Sequence, residues 1–104
     1  GWHLPGGIIR YKETLAERIQ AVARHELGTR VTFDPHPLAV NEIIHPNRRN
    51  RGHFVSLLHA CKLLKPPAAH LKMTGDVIKP GTWAWQDRCL KNLLSVHEIY
   101  RPFF

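Results

Sequence analysis

Two acids and a pair of glycines carry the chemistry that can be read from this sequence. Glu13 and Glu26 stand near the two ends of a stretch in which Leu15, Ile19, Val22 and Ala23 recur at helical spacing, and Gly28 supplies the stop. On a wheel of 100° per residue starting at Leu15, the later apolar residues fall at roughly 40°, −20° and 80°, and Glu26 at roughly 20°. Glu26 therefore lies at the centre of the apolar arc. An unpaired charge there costs several kcal/mol, and the negative end of the helix dipole adds about 0.3–1 kcal/mol. Two readings follow. Glu26 turns to solvent or pairs with Arg10 or Arg30; or it shares a divalent cation with the bend at Gly6 and Gly7, because hard cations take carboxylate and backbone carbonyl oxygens.

The elements that must position these groups follow from pattern. Pro5, Gly6 and Gly7 make a turn open to close backbone approach, and Ile8 and Ile9 suggest a short extended stretch. The periodicity predicts a helix over Glu13 to Leu27, with Glu17, Arg18, Gln20 and Arg24 largely off its apolar face. Val31 to Phe33 reads as a strand, "DPHP" as a proline-bounded connection, Leu38 to Ile44 as a second strand, and "HPNRRNRGH" as a loop leading into a long strand from Phe54 to about Leu63. "KPPAAH" breaks regular structure. Residues 70–81 read as a long loop, "TWAW" as a strand with Trp83 and Trp85 on one face, and Asp87 to Phe104 as short helical pieces. The tryptophans are expected in the core, with stacking on a nucleobase as the alternative.

With 104 residues the chain is expected to form one domain, not two. No apolar run approaches the roughly 20 residues of a membrane span, and no signal-peptide pattern opens the sequence. Cys61 and Cys89 form neither a C-x-x-C motif nor a dense framework, so both are expected as buried thiols in a reducing cytoplasm. The formal charge of +7 calls for an anionic partner. Lysines and arginines are scattered apart from Arg48, Arg49 and Arg51, which favours a small phosphorylated molecule over a nucleic acid.

The stretch "GGIIRYKETLAERIQAVARHELG" resembles the signature of the Nudix hydrolase family, G-x5-E-x7-R-E-U-x-E-E-x-G-U, where U is bulky and aliphatic. Gly7, Glu13, Ala23, Glu26 and Gly28 fall in register, and "WHLPGG" matches the turn that introduces the box. Ala21 and Val22 replace its Arg-Glu pair, and His25 replaces the first of the paired glutamates. This erosion, and the ending "SVHEIYRPFF", are similar to the GDP-mannose mannosyl hydrolase branch. The resemblance implies an α/β/α sandwich with a mixed sheet. It makes Glu26 and the Gly6 carbonyl the Mg²⁺ ligands, with Mn²⁺ as the alternative ion, and gives Glu13 the part of fixing loop to helix. It also implies strands ahead of the glycine turn, which this sequence does not contain. The chain is therefore expected to be incomplete at its N-terminus, and a homodimer, with a second copy covering the open sheet edge.

The expected activity is Mg²⁺-dependent hydrolysis of a nucleotide sugar or another nucleoside diphosphate derivative. The cation offsets charge on phosphate oxygens while water attacks carbon or phosphorus. The Gln-His pair of the mannosyl hydrolases corresponds here to Lys79 and Pro80, and the arginine after the double glycine to Ile8, leaving Arg10 as the substitute for substrate binding. Arg48, Arg49 and Arg51 suit phosphates at the mouth of the site, or form a solvated loop. His53, or His45, stands in as general base, whereas His59 reads as a core residue and His97 has no assigned chemistry. His25 is softer than Mg²⁺ prefers and suits Mn²⁺. The alternatives are a silent Nudix-like domain that binds a nucleotide as sensor or subunit, and, drawing only on charge, a basic nucleic-acid-binding module.

Overall fold

In the computed structural model, residues 2–75, 79–89 and 91–104 are described. Positions 76–78 of the loop read over 70–81 lie outside the described residues. Among the described residues the chain is α/β, with one α-helix, α1 (Leu15–Val22), and four strands: β1 (Val31–Phe33), β2 (Ala39–Ile44), β3 (His53–Leu58) and β4 (Cys61–Leu63). β1 pairs with β4 and β2 with β3, giving two two-stranded sheets. The long strand expected from Phe54 to Leu63 is interrupted at His59 and Ala60, where His59 Nδ1 instead lies 2.8 Å from the Asp34 carbonyl. No described helix is long and apolar enough to cross a membrane.

Contacts divide the chain into two units. The first holds Leu4–Thr32 and Lys62–Asp87, and the second holds Trp2, His3, Phe33–Cys61 and Arg88–Phe104. The chain passes between them within β1 and β4. Their antiparallel sense is fixed by the Leu64 amide donating to Arg30 (2.8 Å) and the Asp34 amide donating to Ala60 (3.3 Å).

In the first unit, α1 is capped at Thr14 in a Thr-x-x-Glu sequence. Thr14 Oγ1 accepts the Glu17 amide at 3.1 Å and donates to the Glu17 carboxylate at 3.0 Å. The helix read as continuous to Leu27 is α-helical only to Val22, and Ala23–Leu27 is a π-helical turn. Its closure explains the change. Gly28, left-handed at φ 64°, donates to both Ala23 and Arg24, and the Thr29 amide reaches back to Ala23. The Gly28-to-Arg24 bond is that of the simple left-handed glycine cap, while the Thr29-to-Ala23 bond reaches one residue farther than its counterpart in the Schellman motif. The segment after β4 holds this end in place: the Ala68 amide donates to Leu27 (2.7 Å), and Thr29 Oγ1 donates to Lys65 (2.8 Å). Ala23, Thr29 and Val31 are the buried centre of the unit. The side-chain amide of Gln20 takes both backbone groups of Val31, donating to its carbonyl at 2.5 Å and accepting its amide at 3.2 Å. Ile8 and Ile9, read as extended, lie outside any strand and are exposed. "TWAW" forms no strand, only one parallel bridge between Trp83 and Lys72. Trp83 is half-buried, with Nε1 donating to Ala68 at 2.9 Å. Trp85 departs from the core expectation, being 69 % exposed, because no strand continues to carry it inward.

The second unit is built on the β2–β3 hairpin, in register from Ala39 opposite Leu58 to Ile44 opposite His53. Ser56 and Asn41 share one face, where Ser56 Oγ is hydrogen-bonded to the hydroxyl of buried Tyr100. Val40, Ile44, Val55 and Leu57 share the other face and are exposed. Tyr100 belongs to a 3₁₀ segment, Ser95–Phe103, which takes the place of the short helical pieces expected after Asp87. Cys61 and Cys89 are free thiols, and Cys61 is exposed rather than buried because β4 is only three residues long and half-covered.

A Cβ on Gly28 would meet the Ala68 Cβ at 2.5 Å in addition to the left-handed backbone, whereas Gly75, at φ 61°, has nothing within 4 Å. Gly75→Ala should therefore lose only the left-handed penalty of about 1–2 kcal/mol. Gly28→Ala should lose more than that, and chemical denaturation of the two variants side by side measures the difference.

Candidate functional site

A cleft of about 410 Å³ lies between the glycine bend and the end of the helix, wholly within the first unit. Its walls are built by close approach. A Cβ on Gly7 would fall 3.0 Å from Val22 Cγ2 and 3.2 Å from Arg18 Cδ, so the bend lies tightly against α1 at this point and any side chain there would require these two to shift by a few tenths of an ångström. Gly6 then meets the π-helical turn, and its amide donates to Glu26 Oε2 at 3.0 Å. The half-buried Glu26 carboxylate thus faces the diglycine bend, twenty residues earlier in the chain.

Glu13 ties the loop to the helix. One carboxylate oxygen accepts the Arg10 amide at 3.1 Å and Arg18 Nε at 2.8 Å, and the other accepts Arg18 Nη2 at 2.8 Å. The Arg18 and Glu13 side chains are only 13 % and 17 % exposed. The forked bond from Arg18, supported by the Arg10 amide, holds the Glu13 carboxyl down at about 2, and the same bond raises Arg18. Lys12, just before Glu13, sits at φ 61°, an unusual conformation for a non-glycine residue that the turn imposes.

Arg10, Arg24 and His25 also line the cleft. Three arginines thus share the cleft with two carboxylates, and with Arg18 committed to Glu13 the charged groups left beside Glu26 are Arg10 and Arg24. Such a surface suits a phosphorylated anion. Among the described residues, no three His, Cys, Asp or Glu side chains converge to hold a metal. Glu26 is the one carboxylate of the cleft not tied to Arg18, and the bend turns an N–H to it, so the remaining oxygens around a cation here would have to come from water or substrate.

The remaining site residues expected from the sequence belong to the second unit. His53 lies on β3 with Nε2 2.7 Å from Glu42 Oε2, both groups being exposed. Arg48, Arg49 and Arg51 lie on the β2–β3 loop, with Arg51 at φ 57°. The loop is tight, since a Cβ on Gly52 would meet the Arg48 carbonyl at 2.5 Å. His45 Nδ1 and His59 Nε2 are buried without a hydrogen-bond partner, so His59 is only half satisfied by its contact with Asp34. His97 packs edge-on against His3 and Tyr100, and burial, reinforced by His3, lowers its pKa.

Sequence pattern placed Arg18 and Arg24 off the apolar face and gave them no part in the site. The Thr14 cap was the available signal. It starts the first turn at Leu15, so Arg18 comes around beneath Glu13. Set against known protein families, curated proteins and solved structures, the chain gives no match.

The lowered Glu13 pKa sets the sign of its acid response. Its contribution is full above the ordinary value of 4.5 and is lost as pH falls from there through about 2. Carbon-detected NMR should show Glu13 titrating near 2. In Arg18→Ala it should move back toward 4.5, and an unchanged midpoint would remove Arg18 as the cause.

Proposed function

We propose that this chain is a Nudix-type hydrolase acting on a nucleotide sugar or a related nucleoside diphosphate derivative, with Mg²⁺ held at the Gly6–Glu26 corner. The observation that carries this reading is the 3.0 Å bond from the Gly6 amide to Glu26, formed across twenty residues of chain and beside the Glu13 tie. The sequence resemblance asks for these two residues to meet, though through the Gly6 carbonyl rather than its amide. In the same reading the α/β chain is part of an α/β/α sandwich with a mixed sheet, works as a homodimer, and resides in the cytoplasm, where its thiols stay reduced.

The roles of the residues follow from position. Glu26 brings negative charge to a corner otherwise lined by arginine, and the Gly6 amide fixes its direction. Glu13 and Arg18 hold the bend against α1, so that Arg10 and Arg24 can meet the phosphates of the substrate from the rim. The bound cation would supply neutralisation of the diphosphate as its bond to the transferred group breaks.

A second reading is favoured by the small number of metal-ligating side chains and the arginine-rich lining. The cleft then binds a nucleotide directly and does not turn it over, as a sensor or subunit.

Incubation with GDP-sugars and ADP-sugars in Mg²⁺ should release free sugar or a nucleoside monophosphate, and Glu26→Gln should slow release by about 100-fold or more. Nucleotide binding that persists in EDTA without turnover would select the second reading. Tight DNA binding that falls steeply with salt would instead bring forward the basic-module alternative.

A further inference from the structure

We propose that the contact of His3 with His97 is a proton-sensitive clip, which holds Trp2 and His3 on the chain at 92–94 while both imidazoles are neutral and releases them on acidification. The clip lies wholly within the second unit and stands independently of the cleft.

The clipped stretch is lightly held. Trp2 and Leu93 form a single parallel bridge, in which the Trp2 amide donates to Asn92 at 3.1 Å and the Leu94 amide donates to Trp2 at 2.8 Å. Among the described residues no strand extends that pairing. Beside these two bonds the ring of His3 stands perpendicular to that of His97, with centroids 6.0 Å apart. Two neutral rings set edge to face attract weakly, whereas two imidazolium ions at that separation repel. The same contact therefore changes sign with protonation.

Which side yields is decided by the anchoring of each ring. His97 also packs edge-on against Tyr100, 5.4 Å away, which is buried and hydrogen-bonded through its hydroxyl to Ser56 of β3. The His97 amide donates to Leu94 at 2.8 Å. His3 is exposed, on a stretch carried by the two bridge bonds, so repulsion is relieved by its departure. The neighbouring charges do not offset that repulsion. Glu98, next in the chain, is bound through both oxygens to Arg101 at 2.7 Å, and Arg101 feels Cys89 as well. Among the described residues, what holds His97 below its ordinary value of 6.5 is burial first and the charge of His3 second. Letting go of His3 removes the second cause, so the released state takes up the proton more readily. The clip is closed above 6.5 and weakens as pH falls below it.

Amide hydrogen exchange on the full chain, followed by NMR and corrected for the intrinsic effect of pH, reads the clip at its two donors, the Trp2 and Leu94 amides; the ring protons of His3 and His97 report their titration. Between about pH 7.5 and about pH 5.5 the protection of both amides should fall about 10-fold, the equivalent of one pH unit of linkage. Amides that pair β2 with β3 should keep theirs, which separates local release from unfolding. His3→Phe keeps an aromatic ring and removes one charge. It should raise the His97 midpoint and leave Trp2 and Leu94 protected at the lower pH, and His3→Gln should raise the midpoint in the same way. Any of four results would overturn the clip: no protection of the two amides at the higher pH, constant protection while both histidines titrate, the wild-type fall persisting in His3→Phe, or a simultaneous fall across the hairpin.

Discussion

The backbone of Gly7 lies close against α1, where an added methyl group would sit 3.0 Å from Val22 and 3.2 Å from Arg18. Everything at the cleft depends on that approach. With the bend against the helix, the Gly6 amide reaches Glu26, the Arg10 amide reaches Glu13, and Arg18 can bridge from helix to loop with both ends of its fork. These bonds involve a charged partner and half-covered groups, the circumstances in which a hydrogen bond is shorter and stronger than a neutral one in water. A bend held farther away would leave two carboxylates near an arginine-lined helix with nothing to orient them.

Much of this arrangement is legible in the sequence because it is local or rests on residue types with sharp conformational meaning. A charge at the centre of an apolar arc signals a partner, and paired glycines signal close approach. Gly28 marks the end of the helix whether that end is α or π. What pattern could not supply is the widening of the last turn. It coincides with contacts from far along the chain, the Ala68 amide donating to the Leu27 carbonyl at 2.7 Å. The same holds for Trp85, whose aromatic character argues for burial but whose surroundings offer no strand to carry it there. Alternation predicts which side chains share a face, not whether that face is covered.

The second unit illustrates the limit from the other direction. Its two strands and the basic, glycine-containing loop between them were legible in the pattern, though the second was read past Leu58 to about Leu63. The anchoring of Tyr100 to Ser56 was not, since it joins residues far apart through one hydroxyl pair. Histidines were the least informative residues of all. His53 meets Glu42 across the hairpin, His59 meets a backbone carbonyl, and His97 meets other rings. Identical side chains end in environments that only tertiary placement separates.

The Gln20 amide pairs with Val31 as an adjoining strand would, giving and taking one hydrogen bond each. It acts as a detent on the helix. α1 cannot roll by a residue about its own axis without surrendering both bonds and exposing the two backbone groups they satisfy. The bearing of the carboxylate two turns further along is thus governed from the far side of the rod, by an uncharged side chain that never enters the cleft.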